Sequence, residues 1–287
     1  MNSPPDDLLG QTIAGRYRII SQLGAGGMGV AYRAWDEQEG RPVVIKIPKK
    51  AFLDDADFSE RFAREIRLLQ GFEHPHIVPI VDVGEHRGLP YVVMRFLPGG
   101  SLSDRRLRDG DGKPRPNPTS MLHLWLPPIA SALDHVHGKG VVHRDVKPGN
   151  IFFDAFSGAF LGDFGIAKII EESASFEREH TLTATNMGIG TLDYMAAERF
   201  SPKPVFDGRT DQYALAVMVY EMLAGTRPFT GTTAHIVVEV TTMQAPRLQG
   251  QRSGLPSSLV EAVHRGLAKK PGDRFATCRD FARQVLQ

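Results

Sequence analysis

The chain has 287 residues, a formal net charge of +1, 41% hydrophobic residues and 23% charged residues. That length and balance suit one large or two small globular domains, and the near-neutral charge gives no reason to expect a nucleic acid or an anionic membrane as partner. The single cysteine, Cys278, excludes an intrachain disulfide, fits a reducing compartment and reads as a small buried apolar residue.

The first ten residues, MNSPPDDLLG, are acidic and broken by prolines. They lack the basic start and apolar core of a signal peptide. Residues 1–15 are expected to be a flexible lead-in, and no internal repeat follows. Arg16 to Leu23 alternates polar and apolar residues, as a half-buried strand does. Val30 to Trp35 and the β-branched run Arg41 to Ile47 predict two more strands. Asp57 to Gln70 predicts a helix, because Phe58, Phe62, Ile66 and Leu69 fall on one face. Strands near Ile77–Val83 and Leu89–Phe96 complete an expected five-stranded antiparallel sheet with one helix.

Pro98-Gly99-Gly100 punctuates the chain, and helices dominate beyond it. Thr119 to His137 predicts a helix kinked at Pro127-Pro128. Asp207 to Gly225 is the strongest helical pattern, and Pro256–Ala268 and Thr277–Leu286 are weaker ones. The apolar part, Ala214 to Gly225, contains Glu221 and is too short to span a bilayer. Asp109 to Pro118 is expected as a surface loop. Arg105, Arg106 and Arg108 are expected on a solvated helix face, with a substrate-docking patch as the alternative.

The chemistry lies in motifs spread along the chain. Gly24-Ala25-Gly26-Gly27-Met28-Gly29 sits between two strands, where glycines let backbone N–H groups approach phosphate oxygens. Alone it reads equally well as a hairpin turn. A dinucleotide-binding fold would need a helix after it, and a strand follows instead. Lys46 ends the run Val43-Val44-Ile45-Lys46 and can serve as a point charge on phosphates. Glu65, at the edge of the apolar helix face, is its candidate partner. The decisive segment is His143-Arg144-Asp145-Val146-Lys147-Pro148-Gly149-Asn150, followed by the apolar strand Ile151–Phe153 and then Asp163-Phe164-Gly165. Asp145 can accept a hydroxyl proton, Lys147 can neutralise a transferring phosphoryl group, and Asn150 and Asp163 supply the hard oxygen ligands that Mg²⁺ prefers.

From Arg16 to Leu286 the chain resembles a Hanks-type serine/threonine protein kinase, most like the bacterial members. The resemblance implies an α+β, two-lobed protein-kinase fold. Residues 16–97 would be a small antiparallel β lobe with one helix, and 98–287 a larger, mainly helical lobe, with ATP in the cleft. It implies that Leu23, Gly24, Ala25, Gly26, Gly27, Met28, Gly29, Val30 and Ala31 cover the phosphates and that Lys46 pairs with Glu65. Met94 would be the gatekeeper, with adenine against the backbone of Arg95 and Leu97. Asp145 would be the catalytic base, Lys147 would assist at the γ-phosphate, and Asn150 and Asp163 would hold Mg²⁺ or Mn²⁺. The segment Gly190 to Glu198 resembles the one that docks a substrate peptide, with Thr191 contacting Asp145 and Lys147. Asp211 resembles the aspartate that braces the catalytic loop, and Glu198 and Arg274 a buried ion pair.

The resemblance also implies protein substrates, serine or threonine acceptors, and self-association for phosphorylation in trans. Thr183 and Thr185 lie eight and six residues before Thr191, the spacing of autophosphorylated residues in bacterial relatives. Their phosphates are expected on Arg144. No nucleic-acid or membrane contact is expected from the chain itself. A cytoplasmic location follows, either alone or as the cytoplasmic domain of a longer, membrane-anchored protein. Ala31 stands where the family usually has valine, Ala197 where it has proline, Arg95 replaces a common acidic residue and His76 a common asparagine. None of these touches Lys46, Asp145, Asn150 or Asp163. A catalytically silent nucleotide-binding scaffold would share the fold but not need those four, and a small-molecule kinase would not need residues 190–198. His135, His137 and His143 cluster in sequence without an acidic or thiolate companion, which argues against a metal centre.

Overall fold

A computed structural model of the chain describes residues 8–25, 29–48, 66, 70–163, 192–201 and 206–287. The chain divides into two compact units, one of residues 1–73, 78–96 and 164–188, the other of residues 74–77, 97–163 and 189–287.

In the first unit, six strands form an antiparallel sheet in the order β1-β2-β3-β4-β6-β5. They are β1 (Thr12–Ile13), β2 (Tyr17–Ala25), β3 (Gly29–Asp36), β4 (Arg41–Pro48), β5 (Ile80–His86) and β6 (Leu89–Arg95). All five strands expected from the sequence are present. The sixth, β1, lies within the stretch expected to be a flexible lead-in. Its Ile13 is fully buried, Leu8 packs with it, and Ile13 pairs with Tyr17. With a core to enter, Leu8 and Ile13 are buried within the described part of that stretch, residues 8–15.

The strand period of two divides the sheet into two faces. Val30, Tyr32 and Ala34 of β3 and Val43, Ile45 and Ile47 of β4 point into one hydrophobic core with Tyr17, Ile19 and Val93. Burying each such large side chain contributes about 1.5–3 kcal/mol. Asp36 is also buried, gripped by Arg16 through two hydrogen bonds of 2.8 and 2.7 Å. Its Oδ1 accepts the N–H groups of Gln38 and Glu39, closing the β3–β4 turn. The Arg16 hydrogen bonds hold the Asp36 carboxyl below its usual range despite burial. Of the helix expected over Asp57–Gln70, Ile66 and Gln70 are described, both helical, and Ile66 is buried. Phe58, Phe62 and Leu69 lie outside the described residues.

In the second unit the helices are α1 (Leu122–His137), α2 (Gly208–Ala224), α3 (Thr233–Thr242), α4 (Leu248–Gln251), α5 (Ser257–Gly266) and α6 (Cys278–Val285). A two-stranded hairpin, β7 (Ile151–Phe153) and β8 (Ala159–Leu161), accompanies them. Helix α2 is buried from Thr210 to Leu223 on every side, which makes it the central post of this unit. Asp207 caps its start by accepting from Arg209 N, and Gly225 ends it at φ 82°, a left-handed position that suits glycine. Helices α1, α5 and α6 pack against it. Helix α1 continues through Pro127 and Pro128 without interruption. The carbonyls that lose their N–H partners belong to His123 and Leu124, both exposed and so able to bond water.

The arginine run departs from expectation. Residues 101–118 form no helix. Arg105 stacks on Phe153 at 3.7 Å, and Arg106 pairs at 3.0 Å with Glu221, which is only 3% exposed. A carboxylate buried in α2 demands a counter-charge, and that demand draws Arg106 inward. Cys278 is buried as expected, and burial pushes its thiol well above the usual range. Among the described residues no helix is long and apolar enough to cross a membrane.

Candidate active site

The loop from His143 to Asn150 is held from below by the first turn of α2. Asp211 is 1% exposed. Its Oδ1 accepts Arg144 N at 2.9 Å, and its Oδ2 accepts His143 N at 2.8 Å and bonds His137 Nε2 at 2.7 Å. Burial works to raise the Asp211 pKa, but the His137 hydrogen bond and the neighbouring imidazoles outweigh it and hold the carboxyl low. His143 is fully buried and works on both ring nitrogens. Its Nδ1 accepts Asp145 N at 3.3 Å, so Nε2 carries the proton and donates to Gly162 O at 2.9 Å. This ties the loop to the residue just before Asp163.

On this braced loop three side chains meet. Lys147 Nζ lies 2.9 Å from Asp145 Oδ2. Asn150 Nδ2 donates to the same Oδ2 at 2.9 Å and to Asp145 O at 2.7 Å. Both side-chain contacts fall on Oδ2, and among the described residues none falls on Oδ1. Asn150 spends its amide N–H groups on Asp145, which leaves its oxygen as the ligand-competent atom. An amide oxygen here and a carboxylate at Asp163 are the hard donors a divalent cation such as Mg²⁺ takes, so this donor set fits the ion.

Two residues beside these groups hold left-handed backbone: Arg144 at φ 65° and Asp163 at φ 64°. Such non-glycine conformations cost on the order of 1–3 kcal/mol each and persist only where the surroundings over-determine them. At Arg144 the cause is visible. Asp211 takes its N–H, and Arg199 Nη1 donates to its carbonyl at 2.5 Å.

The first unit carries the remaining candidates. Ala31 pairs directly across from Lys46, Lys46 across from Val92, and Met94 across from Val44. Ala31, Lys46 and Met94 therefore share the sheet face opposite the core. Val30 does not join them, because the alternation turns it into the core at 4% exposure. Its side chain therefore faces away from Lys46, and only its backbone lies on the strand that follows the glycine turn. Leu23, Gly24 and Ala25 are exposed, as is Arg95, whereas Leu97, in the second unit, is buried. Gly29 lies so close to β4 that a Cβ would strike the Ile47 carbonyl. Gly26, Gly27, Met28, Glu65, Thr183, Thr185 and Thr191 lie outside the described residues.

Beyond Thr191 the chain is anchored by buried charge. Tyr194 Oη donates to Glu221 Oε2 at 2.7 Å, and Arg227 pairs with Asp193. Burial raises the Glu221 pKa, against the pull of Tyr194 and Arg106. Sequence reasoning missed this network; its one signal was a lone glutamate inside an apolar helical run. Glu198 and Arg274 do form the expected pair, with bonds of 2.7 and 2.8 Å. The three histidines near the loop do not converge. His137 and His143 serve Asp211 and Gly162, while His135 stacks on His74 at 5.2 Å.

The protein kinase domain family model matches residues 17–287, and the chain belongs to that family. It is a Hanks-type kinase domain of the bacterial kind. The serine/threonine-protein kinase PknE of Mycobacterium bovis is 38% identical over 268 residues, covering 93% of this chain and 45% of that protein. PknH of the same species is 38% identical over 283 residues, covering 98% of this chain and 45% of its own length. The chain thus spans less than half the length of these curated relatives. Among solved structures, the Mycobacterium tuberculosis PknI kinase domain matches with a TM-score of 0.71 at 29% identity, covering 96% of each chain. The antiparallel sheet unit and the helical unit are the two lobes of that fold. Members of the family generally use ATP and Mg²⁺ and act on proteins.

Proposed function

We propose that this domain transfers the γ-phosphoryl group of Mg·ATP to serine or threonine hydroxyls of proteins. The observation that carries the reading is the Asp145 carboxylate. Its Oδ2 is pinned by Lys147 and Asn150, on a loop whose backbone Asp211 holds. Asp145 Oδ1 takes the hydroxyl proton as the hydroxyl oxygen bonds to the γ-phosphorus. The bond to the β–γ bridging oxygen breaks, and ADP leaves with its electron pair. Lys147 offsets negative charge at the transferring group. Asn150 and Asp163 would hold Mg²⁺, which supplies positive charge at the phosphate oxygens when bound. Lys46, partnered by Glu65, would orient the phosphates, residues 23–31 would cover the nucleotide, and Met94, Arg95 and Leu97 would line the adenine. Thr191 would contact Asp145 and Lys147.

Regulation is part of the same proposal. Arg144 Nε is buried without a hydrogen-bond partner, a costly state for a charged donor and one that a phosphate would relieve. Phosphothreonine at 183 or 185, formed in trans by a second copy, is the expected relief. Residues 1–15 would precede the catalytic domain, 16–97 and 98–287 would be its two lobes, and the protein would act in the cytoplasm.

The test is incubation with labelled Mg·ATP and a basic acceptor protein, beside Lys46→Met and Asp145→Asn. Label on serine or threonine should fall by roughly 10²-fold or more in both variants. Undiminished transfer in Asp145→Asn would remove the proposal. Phosphopeptide mapping of the active chain checks Thr183 and Thr185, and finding both unmodified removes the regulatory part.

A further inference from the structure

His137 has one ring nitrogen committed and one to spare. Its Nε2 lies 2.7 Å from Oδ2 of Asp211, the carboxylate that braces the catalytic loop. A carboxylate there favours the tautomer with the proton on Nε2, which leaves the lone pair on Nδ1. Gly208 makes room beside that nitrogen, since a Cβ at this position would stand 2.5 Å from Nδ1. The thiol companion missing from the sequence around His137 arrives from α6, which Cys278 opens.

Asp134 Oδ1 lies 4.0 Å from His137 Nδ1, and ligand atoms of Asp134, His137 and Cys278 all fall within 4.8 Å of one another. Gly208 O lies 4.0 Å from Cys278 Sγ. The Asp134 carboxylate is fixed in place by the backbone N–H groups of Cys278 and Arg279, at 2.8 and 3.0 Å. Each of its oxygens keeps a further lone pair. Arg279 stays at the rim, with its Nε 3.9 Å from Oδ2 and its side chain 56% exposed. An imidazole nitrogen, a sulfur and a carboxylate oxygen are the mixture that zinc takes in tetrahedral sites. Metal–ligand bonds of about 2.0–2.3 Å put neighbouring ligand atoms about 3.4–3.6 Å apart, so modest side-chain rotations close the set. A divalent ion with one thiolate and one carboxylate also carries no net charge, which suits the buried Cys278.

We propose that Asp134, His137 and Cys278 form a site for a thiophilic divalent cation of the zinc type, with Gly208 O or water as fourth donor. Binding forms a metal–Sγ bond and releases the thiol proton to solvent. Without the ion the thiol stays protonated, because burial and the Asp134 carboxylate raise it. The set differs from Asn150 and Asp163, whose oxygen donors suit Mg²⁺. An ion on Nδ1 also locks the Nε2–H tautomer and so stiffens the Asp211 brace under His143 and Arg144. The proposal is independent of the phosphoryl-transfer reading, and its test needs no turnover.

The full chain is stripped of metal, given excess Mg²⁺ to fill oxygen-rich sites, and titrated with Co²⁺ as a spectroscopic stand-in for Zn²⁺. One equivalent should produce a thiolate-to-cobalt charge-transfer band, and Zn²⁺ should remove it by displacement. Cys278 is the sole cysteine, so the band has one possible origin. Cys278→Ala should abolish it. Asp134→Asn should weaken binding by at least the roughly 10–100-fold that losing an outer-shell partner costs. Affinity should rise roughly tenfold per pH unit near neutrality, as one thiol proton is released. Saturating Zn²⁺ should slow amide hydrogen exchange at His143 and Arg144 in the parent and not in Cys278→Ala. Circular dichroism and the conservative Cys278→Ser variant guard against misfolding. Cobalt bound without a charge-transfer band, or no saturable binding at all, overturns the site. Full affinity in Asp134→Asn overturns the ligand set, and unchanged exchange at His143 and Arg144 overturns the link to the catalytic loop.

Discussion

Arg274 offers the sharpest test of the packing argument, because all five of its N–H donors find acceptors. Nε bonds Ala268 O at 2.8 Å, Nη1 bonds Glu198 Oε1 at 2.7 Å and Arg209 O at 2.8 Å, and Nη2 bonds Glu198 Oε2 at 2.8 Å and Lys269 O at 3.2 Å. The arginine side chain is 0% exposed and the glutamate 11%. Glu198→Ala leaves a buried guanidinium with two unpaired donors and an uncompensated charge. Removing one partner of such a pair costs about 3–5 kcal/mol. At about 2–4 °C per kcal/mol for a domain approaching this size, the melting midpoint should fall by roughly 6–20 °C. Urea unfolding followed by the fluorescence of buried Trp125, in a Trp35→Phe background, reads the second unit. Replacing both partners by apolar residues, Glu198→Leu with Arg274→Met, removes the stranded charge. The double variant should then be more stable than the sum of the two single losses by about 2 kcal/mol. A midpoint drop under about 2 °C for Glu198→Ala, or an additive cycle, would refute the reasoning.

Two further outcomes are expected. Asp211→Asn keeps the helix but sets an amide N–H against a backbone or imidazole N–H at the catalytic loop, since both carboxylate oxygens now accept. It should lower kcat by roughly 10²-fold through misplacement of Asp145, with the KM for ATP little moved; a kcat within about twofold of the parent would contradict the brace. His74 should make the second unit acid-sensitive. Burial first, then the charges of His135, His76 and Arg279, push its pKa from 6.5 down to about 4. The unfolded chain therefore binds one more proton than the folded chain between these values. Stability should fall as pH drops from 6.5 toward 4 and be unaffected by this group above 6.5. The groups facing His74 are Ser131 Oγ, His76, His135 and Arg279. Urea midpoints at pH 7 and pH 4.5 measure the slope, which His74→Gln should reduce; an unchanged slope would rule His74 out as its source.

What was legible in the sequence was local or periodic. The alternation along Val43 to Ile47 announced which residues enter the core, and the structure agrees residue by residue. Asp145, Lys147 and Asn150 lie within six positions of one another, so their spacing already constrained how they meet. Asp211, Glu198 and Arg274 were found because they stand in a recognised pattern, although they lie far from their partners in sequence. Val30 was read with its motif as a unit, while the strand turns each successive side chain to the other face and puts the Val30 side chain in the core. β1 was missed because two buried residues in a short segment carry too little periodicity to register.

The sequence by itself determined the strand pattern, the buried α2 post and the order of the chemical motifs. Each of these depends on neighbours a few residues away, or on spacing that only one known arrangement satisfies. Only the tertiary structure decided the fate of the charges. Arg106 turned inward to Glu221, Arg199 came to rest with Arg144 on Phe206, and His74 stacked beside His135. A charged side chain read alone defaults to solvent, because its cost of burial is known and its partner is not. The partner is set by how distant segments pack, and that is the quantity a one-dimensional pattern does not contain.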